Sequence, residues 1–135
     1  ALLLASPKSA KGRALGRLVS SALVGVPPER MAYAAVPAVR RALERARWRA
    51  SEVDVWEINE TFAAQLLLDC SELGVDADRV NPNGGAIALG HPFGATGVRL
   101  VHTLLLELRR RSRRRGVAAI SGGGGLGIAV CVEAL

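Results

Sequence analysis

The segment from Asn81 to Arg99, NPNGGAIALGHPFGATGVR, constrains the fold of this 135-residue chain more than any other feature. Glycine and proline recur throughout it around a single histidine, His91, and it leads directly into an apolar stretch with helical spacing. Glycines at this density let backbone N–H groups approach a neighbouring group closely, and imidazole titrates near neutral pH. We therefore expect a functional loop at the start of a long apolar helix.

Strand and helix patterns alternate along the chain, which predicts an α/β fold with a mixed sheet of five strands. The predicted strands cover residues 1–5, 15–26, 54–58, 117–120 and 126–132, and a glycine turn joins the last two as a hairpin. Helices are predicted over 6–13, 36–47, 60–73 and 95–111. Apolar residues go most of the way round the last helix, so we expect it to be a buried central helix, covered on more than one side. The others are expected to be outer helices, with Phe62, Leu66, Leu67 and Cys70 as a buried stripe on the third.

Composition narrows the class of protein. Half of the residues are hydrophobic, so disorder is not expected. The opening ALLLASP is too short for a signal peptide and no apolar stretch reaches membrane-spanning length, so we expect a soluble, cytoplasmic protein with no membrane partner. Cys70 and Cys131 make neither a disulfide framework nor a metal-ligand cluster, and both are expected to be buried apolar residues. The chain begins without methionine, and we expect it to be a piece of a longer protein.

The formal net charge of +6 is concentrated near the C-terminus, where six of the seven residues from Arg109 to Arg115 are arginine. Such a run fits a phosphate-binding patch for nucleic acid or a nucleotide-bearing cofactor. It also fits a helix C-terminus, where cations complement the helix dipole. Aromatic residues are too sparse for base stacking, and we do not predict nucleic-acid binding.

Polar or glycine-rich turns follow predicted strands at three places, where α/β folds usually carry their sites. They are Asn59-Glu60-Thr61-Phe62, the loop around His91, and SGGGGLG from Ser121 to Gly127. An asparagine side chain and an imidazole can each donate a hydrogen bond to a carbonyl oxygen that gains negative charge, and a glycine turn can present N–H groups to a second oxygen. Taken singly, Asn59 also fits a helix cap and His91 a loop-shaping residue. Together the three turns favour an active site.

These three segments resemble the C-terminal motifs of the thiolases, and GGAIALGHP from Gly84 to Pro92 is highly specific. The resemblance extends almost from end to end. It implies a thiolase-like C-terminal core domain over residues 14–135, preceded by the tail end of an N-terminal domain over residues 1–13. The implied reaction is a coenzyme A-dependent Claisen condensation, or its reverse, the thiolytic cleavage of a 3-oxoacyl-CoA.

The resemblance also implies roles for individual residues. His91 matches the histidine that activates a nucleophilic cysteine and donates to the first oxyanion hole, and Asn59 matches the asparagine that holds a water there. Gly123 matches the glycine whose N–H helps to form the second oxyanion hole, and Met31 and Phe62 match positions that line the acyl and pantetheine pocket. The implied partners are an acyl-CoA substrate, the N-terminal half that carries the nucleophile, and further copies in a dimer or tetramer. Coenzyme A enters as substrate, and no permanently bound cofactor is implied.

Ser121 departs from the family pattern, because it stands where thiolases carry a cysteine that moves a proton at the substrate α-carbon. An aliphatic hydroxyl is a far poorer acid than a thiol, so we expect Ser121 to be a weak substitute. Two functions therefore stay open at this point. The chain is either the C-terminal part of a thiolase-type acyltransferase, inactive by itself, or part of a condensation-deficient acyl-CoA-binding or scaffold protein.

Overall fold

A computed structural model describes residues 1–10 and 13–135 of the chain. The strands are β1 (Gly16–Gly25), β2 (Val55–Ile58), β3 (Arg115–Gly122) and β4 (Leu126–Ala134). The α-helices are α1 (Pro7–Ala10), α2 (Ala35–Ala46), α3 (Ala63–Leu73), α4 (Ala86–Leu89) and α5 (Thr96–Arg110). Short 3-10 helices cover Pro28–Tyr33, Ala50–Glu52, Ala77–Arg79 and Gly123–Gly125.

The strands form one mixed sheet in the order β1-β4-β3-β2. Strand β2 pairs in parallel with β3, whereas β4 pairs antiparallel with both β1 and β3. The α/β fold with a mixed sheet is confirmed, as is the terminal hairpin, but the prediction of five strands was wrong. Residues 1–5 form an exposed segment, and no strand among the described residues pairs with their apolar run. The helix predicted over 6–13 is shorter in the structure, where α1 covers Pro7–Ala10 and Arg13 is not helical. Positions 11 and 12 lie outside the described residues.

Helices cover both faces of the sheet. Trp56 and Ile58 of β2 pack in the same cluster as the buried face of α2, whereas Val55, which precedes Trp56, packs with α5. Because successive strand residues point to opposite faces, α2 and α5 lie on opposite sides of the sheet. The larger hydrophobic cluster lies on the α2 side of the sheet. The apolar residues of α2 recur at helical spacing, which is why a helix over 36–47 could be predicted.

Helix α5 is buried along the stripe that faces the sheet. Leu100, Leu104 and Leu108 of this stripe are at most 1% exposed. Gly116 of β3 allows the close approach, because a Cβ atom there would lie 2.7 Å from Leu104 Cδ1. Leu106, on another side of the helix, is 47% exposed. The buried helix is therefore confirmed on its sheet side, while the described residues do not supply the expected cover on a second side.

The stripe predicted for the third helix was partly wrong. Cys70 is buried and Leu66 is half-buried, but Phe62 and Leu67 are 59% and 64% exposed. Gln65 and Asp69 are buried instead. Their burial is tolerated because the Gln65 amide donates to Asp69 Oδ2 and the Gln65 carbonyl accepts from the Thr61 N–H at 3.0 Å.

The arginine run ends α5 and pairs with carboxylates of this chain. Arg110 and Arg111 both donate to Glu107, and Arg115 donates to Glu52 at 2.9 Å. Hydrogen bonds from Arg110, Asn83 and Arg111 lower the pKa of Glu107 to about 2, against an opposing effect of burial. These contacts favour the helix-end interpretation of the run.

Both cysteines are buried and free, in α3 and β4, and burial raises the pKa of each thiol. This is the apolar placement that the sequence predicts. No helix in the described part of the chain has the length and hydropathy needed to cross a membrane.

Candidate active site

The three turns singled out in the sequence lie at one edge of the sheet. Strands β2 and β3 run in parallel, so their carboxyl ends meet at this edge, with Asn59 after β2 and Ser121 near the end of β3. The Asn59 N–H donates to Ala119 O at 2.9 Å and thereby continues the pairing by one residue. The loop before α5 brings His91 to the same place.

Thr96, the first residue of α5, decides which nitrogen of His91 carries the proton. Its hydroxyl donates to Pro92 O at 3.1 Å, and its Oγ1 lies 2.7 Å from His91 Nδ1. A hydroxyl has one hydrogen, so the contact with His91 requires Nδ1–H as the donor. In the neutral imidazole, Nε2 therefore keeps a free lone pair and can accept a proton.

Asn59 contacts this free nitrogen. The Asn59 side chain is fully buried, and its Nδ2 lies 3.5 Å from His91 Nε2. At that distance both groups can reach a single oxygen atom that lies to the side of the line joining the two nitrogens. Once Nε2 is protonated, both become hydrogen-bond donors, which suits a carbonyl oxygen that gains negative charge.

The loop that carries His91 is fastened to the end of β2. The Asn81 side chain accepts from the Ile58 N–H and donates to Ile58 O, each at 2.8 Å, and so takes the place of a strand partner. Glu60 accepts from the N–H of Ile87 in α4 at 2.8 Å. Gly85 permits this approach, since a Cβ atom there would lie 2.3 Å from the Glu60 carboxyl carbon.

Ser121 is held by the segment before α2. Its Oγ accepts from the Ala35 N–H at 3.0 Å and donates to Ala32 O at 3.3 Å. The side chain is buried, and its one hydroxyl hydrogen is directed to a backbone carbonyl. Ser121 thus fastens the glycine turn to the 3-10 helix Pro28–Tyr33 and the start of α2.

A cavity of about 390 Å³ opens between these elements. It is lined by Met31, Thr61, His91, Phe93, Ile120, Ser121, Gly122 and Gly123. The structure therefore brings together four of the six residues singled out in the sequence, and Asn59 joins them through its contact with His91. Phe62 lies outside this lining.

Some of the surrounding residues were not predicted from the sequence. Thr96 orients His91, and the ring of Phe93 stands edge-on to the imidazole with ring centroids 4.8 Å apart. Thr96 and Phe93 follow His91 by five and two residues in the glycine-rich segment. Their closeness to His91 in the chain is the one sequence feature that could have indicated a role at the site. Thr61 and Ile120 border residues that were singled out, but nothing in their type indicates a cavity.

A buried carboxyl group supports the loop after Asn59. Burial raises the pKa of Asp69 to about 6, while the hydrogen bond from Gln65 lowers it. Because Gln65 also accepts from the Thr61 N–H, and that N–H lies 3.2 Å from Asn59 O, the chain of contacts runs from α3 to the site. This network fixes the backbone where Thr61 borders the cavity.

Comparison with known proteins agrees with this arrangement. Residues 12–134 match the family model described as the C-terminal domain of thiolase. The chain belongs to the thiolase family. It is 52% identical over 121 residues to an acetyl-CoA acetyltransferase of Shinella zoogloeoides, and 48% identical over 119 residues to a cytosolic acetyl-CoA acetyltransferase of Mus musculus. These alignments cover 90% and 88% of this chain but 31% and 30% of the two relatives.

Solved thiolase structures have the same fold. The acetyl-CoA acetyltransferase of Bacillus anthracis superposes with a TM-score of 0.92 at 42% identity, and human mitochondrial 3-ketoacyl-CoA thiolase with a TM-score of 0.92 at 40% identity. Each match covers 96% of this chain and 34% of the solved chain. The chain thus spans about a third of the length of the thiolases that it matches.

Proposed function

We propose that this chain is the C-terminal part of a thiolase-type acyltransferase that catalyses a coenzyme A-dependent Claisen condensation, or its reverse, the thiolytic cleavage of a 3-oxoacyl-CoA. The His91 arrangement carries the proposal, because a neutral imidazole with a free Nε2 beside a buried amide suits both steps of acyl transfer. The relatives named as acetyl-CoA acetyltransferases support this function over a condensation-deficient scaffold protein.

In the proposed reaction, His91 acts first as a base. Its Nε2 takes the proton of a cysteine thiol from the N-terminal half, and the thiolate attacks the thioester carbonyl carbon. The carbonyl oxygen then gains negative charge, and the protonated Nε2 and a water held by Asn59 stabilise it. When the tetrahedral intermediate collapses, the thiolate of coenzyme A leaves and recovers the proton, and the acyl group stays on the cysteine.

In the second half-reaction, a proton moves at the substrate α-carbon, and we assign the glycine turn from Ser121 to Gly127 to this step. Gly123 lines the cavity beside Ser121, and we assign its N–H to the second oxyanion hole. Met31 lines the same cavity and is assigned to the acyl pocket. Phe62 lies outside this lining and is 59% exposed, and we assign it as a contact for pantetheine. Ser121 keeps the shape of this turn, but its hydroxyl is a poor acid and base for a proton at the α-carbon.

We extend the proposal to the domain organisation and the cellular setting. We assign residues 14–135 to the C-terminal domain and residues 1–13 to the end of the preceding one. The partner half supplies the nucleophile, and the complete protein is a dimer or tetramer in the cytoplasm. Coenzyme A is a substrate, and the acyl transfer uses no permanently bound cofactor.

Thiolysis by the full-length protein tests the proposal. We expect turnover of a short 3-oxoacyl-CoA with coenzyme A, and a loss of kcat of about 100-fold or more in His91→Gln, because general base and oxyanion donor are removed together. His102→Gln is the matched control, since it removes the other histidine of this chain, which is exposed on α5. A full-length protein without thiolysis, or with equal rates in both variants, would contradict the proposal.

A further inference from the structure

Two oppositely charged side chains lie next to the site, Glu57 on β2 and Arg99 on α5. Glu57 is fully buried, and neither of its carboxylate oxygens has a hydrogen-bond partner among the described residues. The three guanidinium nitrogens of Arg99 are also buried and, within the same residues, unpaired. Burying a charge without hydrogen bonds is strongly unfavourable unless an opposite charge lies nearby.

The other carboxylates near Glu57 have partners of their own. Glu107 accepts from Arg110 at 2.6 Å and from Asn83 at 3.1 Å, and Glu60 accepts from the Ile87 N–H. Burial raises the pKa of Glu57 to about 7, and the charge of Arg99 opposes that rise, while Glu107 and Glu60 add to it. Arg99 is therefore the cation that compensates Glu57.

Glu57 and Arg99 are close in the chain to the residues that form the contact between His91 and Asn59. Glu57 precedes Asn59 by two residues of an extended chain, which places it on the same face about 6.6 Å away. Arg99 follows Thr96 by three residues, close to one helical turn, and so lies on the same side of α5. Strand β2, which Asn59 follows, thus carries Glu57, and helix α5, whose Thr96 orients His91, carries Arg99.

We propose that Glu57 and Arg99 attract each other across the interface of β2 and α5 and act as positioning residues for the Asn59 amide and the His91 imidazole. The inference rests on the proposed function and adds to it a determinant of site geometry. Neither residue touches the reacting atoms. Their attraction sets how closely the end of β2 approaches the start of α5, and therefore the separation of the two oxyanion donors.

Kinetics of the full-length protein test this role. We expect Arg99→Met to lower kcat for thiolysis about 10- to 100-fold with little change in KM, because small displacements of catalytic groups cost that much. Arg99→Lys keeps the charge and should recover most of the rate. Arg109→Met removes an exposed arginine from the same helix and should leave the rate unchanged. A folded Arg99→Met protein with the rate of the parent would overturn the proposal.

The double variant Glu57→Gln/Arg99→Met guards against simple misfolding. It removes both charges at once, so no unpaired charge stays buried, and we expect it to fold with a melting temperature near that of the parent. The proposal requires that kcat stays low in this protein. Recovery of the parental kcat together with the fold would mean that the pair is merely structural, and would overturn it.

A spectroscopic measurement separates this inference from the proposed function. The 15N chemical shifts of the His91 ring, assigned by comparison with His91→Gln, report the environment of Nε2 whether or not the protein catalyses thiolysis. We expect Arg99→Met to shift the Nε2 resonance, and Arg109→Met to leave it in place. An unchanged Nε2 resonance in Arg99→Met would overturn the positioning role, whereas a parent protein without thiolysis would overturn only the proposed function.

Discussion

At the scale of single residues, one hydroxyl organises the chemistry of the site. Thr96 donates to Pro92 O and so accepts from His91 Nδ1, which leaves Nε2 free on the side of Asn59. The Ser121 hydroxyl likewise donates and accepts within the chain, but both of its partners are backbone atoms, so its contacts are structural. One polar side chain thus frees a reactive atom, while the other fastens the backbone.

Two substitutions of Ser121 separate its effect on the reaction rate from its effect on the stability of the fold. We expect Ser121→Cys to raise the thiolysis rate of the full-length protein by about 10-fold or more, because a thiol with a pKa of about 8.5 exchanges protons far more readily than an aliphatic hydroxyl. We expect Ser121→Ala to lower the free energy of unfolding by about 1–3 kcal/mol, because it leaves the buried Ala35 N–H without its partner. Steady-state kinetics and urea unfolding measure the two effects. An unchanged rate in Ser121→Cys would mean that proton transfer at the α-carbon is not limited by this side chain.

At the scale of elements, β4 and the start of α2 are in direct backbone contact. A Cβ atom on Gly127 would lie 2.0 Å from Ala34 O, and backbone cannot move aside as a flexible side chain can. We expect Gly127→Ala to lower the free energy of unfolding by about 1–3 kcal/mol or more, measured by urea unfolding of the full-length protein.

Gly25→Ala is the control for this prediction, since no atom lies within 4 Å of the Cβ position there and its φ is not in the left-handed region. We expect this control to unfold at the urea concentration of the parent. Equal losses in both variants would show that the contact between Gly127 and Ala34 is not what determines the packing of β4 against α2.

The end of α5 contributes a pH-dependent stability. The folded pKa of Glu107 lies near 2, below the ordinary value of 4.5, so its pairing with Arg110 stabilises the fold above about pH 4.5. This contribution is lost as the pH falls from 4.5 towards 2. We expect Glu107→Gln to be less stable than the parent at pH 7 and to approach it in stability at low pH. Unfolding free energies between pH 7 and pH 3 measure the difference, and a constant difference would contradict this account.

The elements also show what the sequence can reveal. Apolar spacing predicts α2, α5 and the terminal hairpin because each pattern matches the period of its element. The same reasoning fails for residues 1–5, since a strand exists only where a partner pairs with it. It fails for Leu67 because the exposed side of α3 has no cover within the described chain, while Gln65 donates to Asp69 on the buried side.

The site was predictable to a similar degree. The resemblance of three short segments to thiolase motifs singles out His91, Asn59 and Ser121, and the parallel pairing of β2 with β3 explains why the turns after both strands share one edge of the sheet. The resemblance to thiolase motifs does not reveal the tautomer of His91 or the contacts of Ser121. Those depend on distances between residues far apart in the chain, which no local pattern encodes.

At the scale of the whole molecule, the described residues bring together the proposed base and oxyanion donors but expose no thiol. Cys70 and Cys131 are buried in α3 and β4, and burial raises the pKa of both. A thiol in that state is a poor nucleophile. The proposed function therefore requires that a cysteine outside this chain carries the acyl group, and this chain matches about a third of the length of each relative.

Acylation of the full-length protein by acetyl-CoA, followed by peptide mass spectrometry on the millisecond-to-minute timescale, tests this account most directly. We predict that a single cysteine outside this chain becomes acetylated, and that His91→Gln slows the step by about 100-fold or more while His102→Gln does not. Acetylation of Cys70 or Cys131, or an equal acylation rate in His91→Gln and the parent, would contradict it.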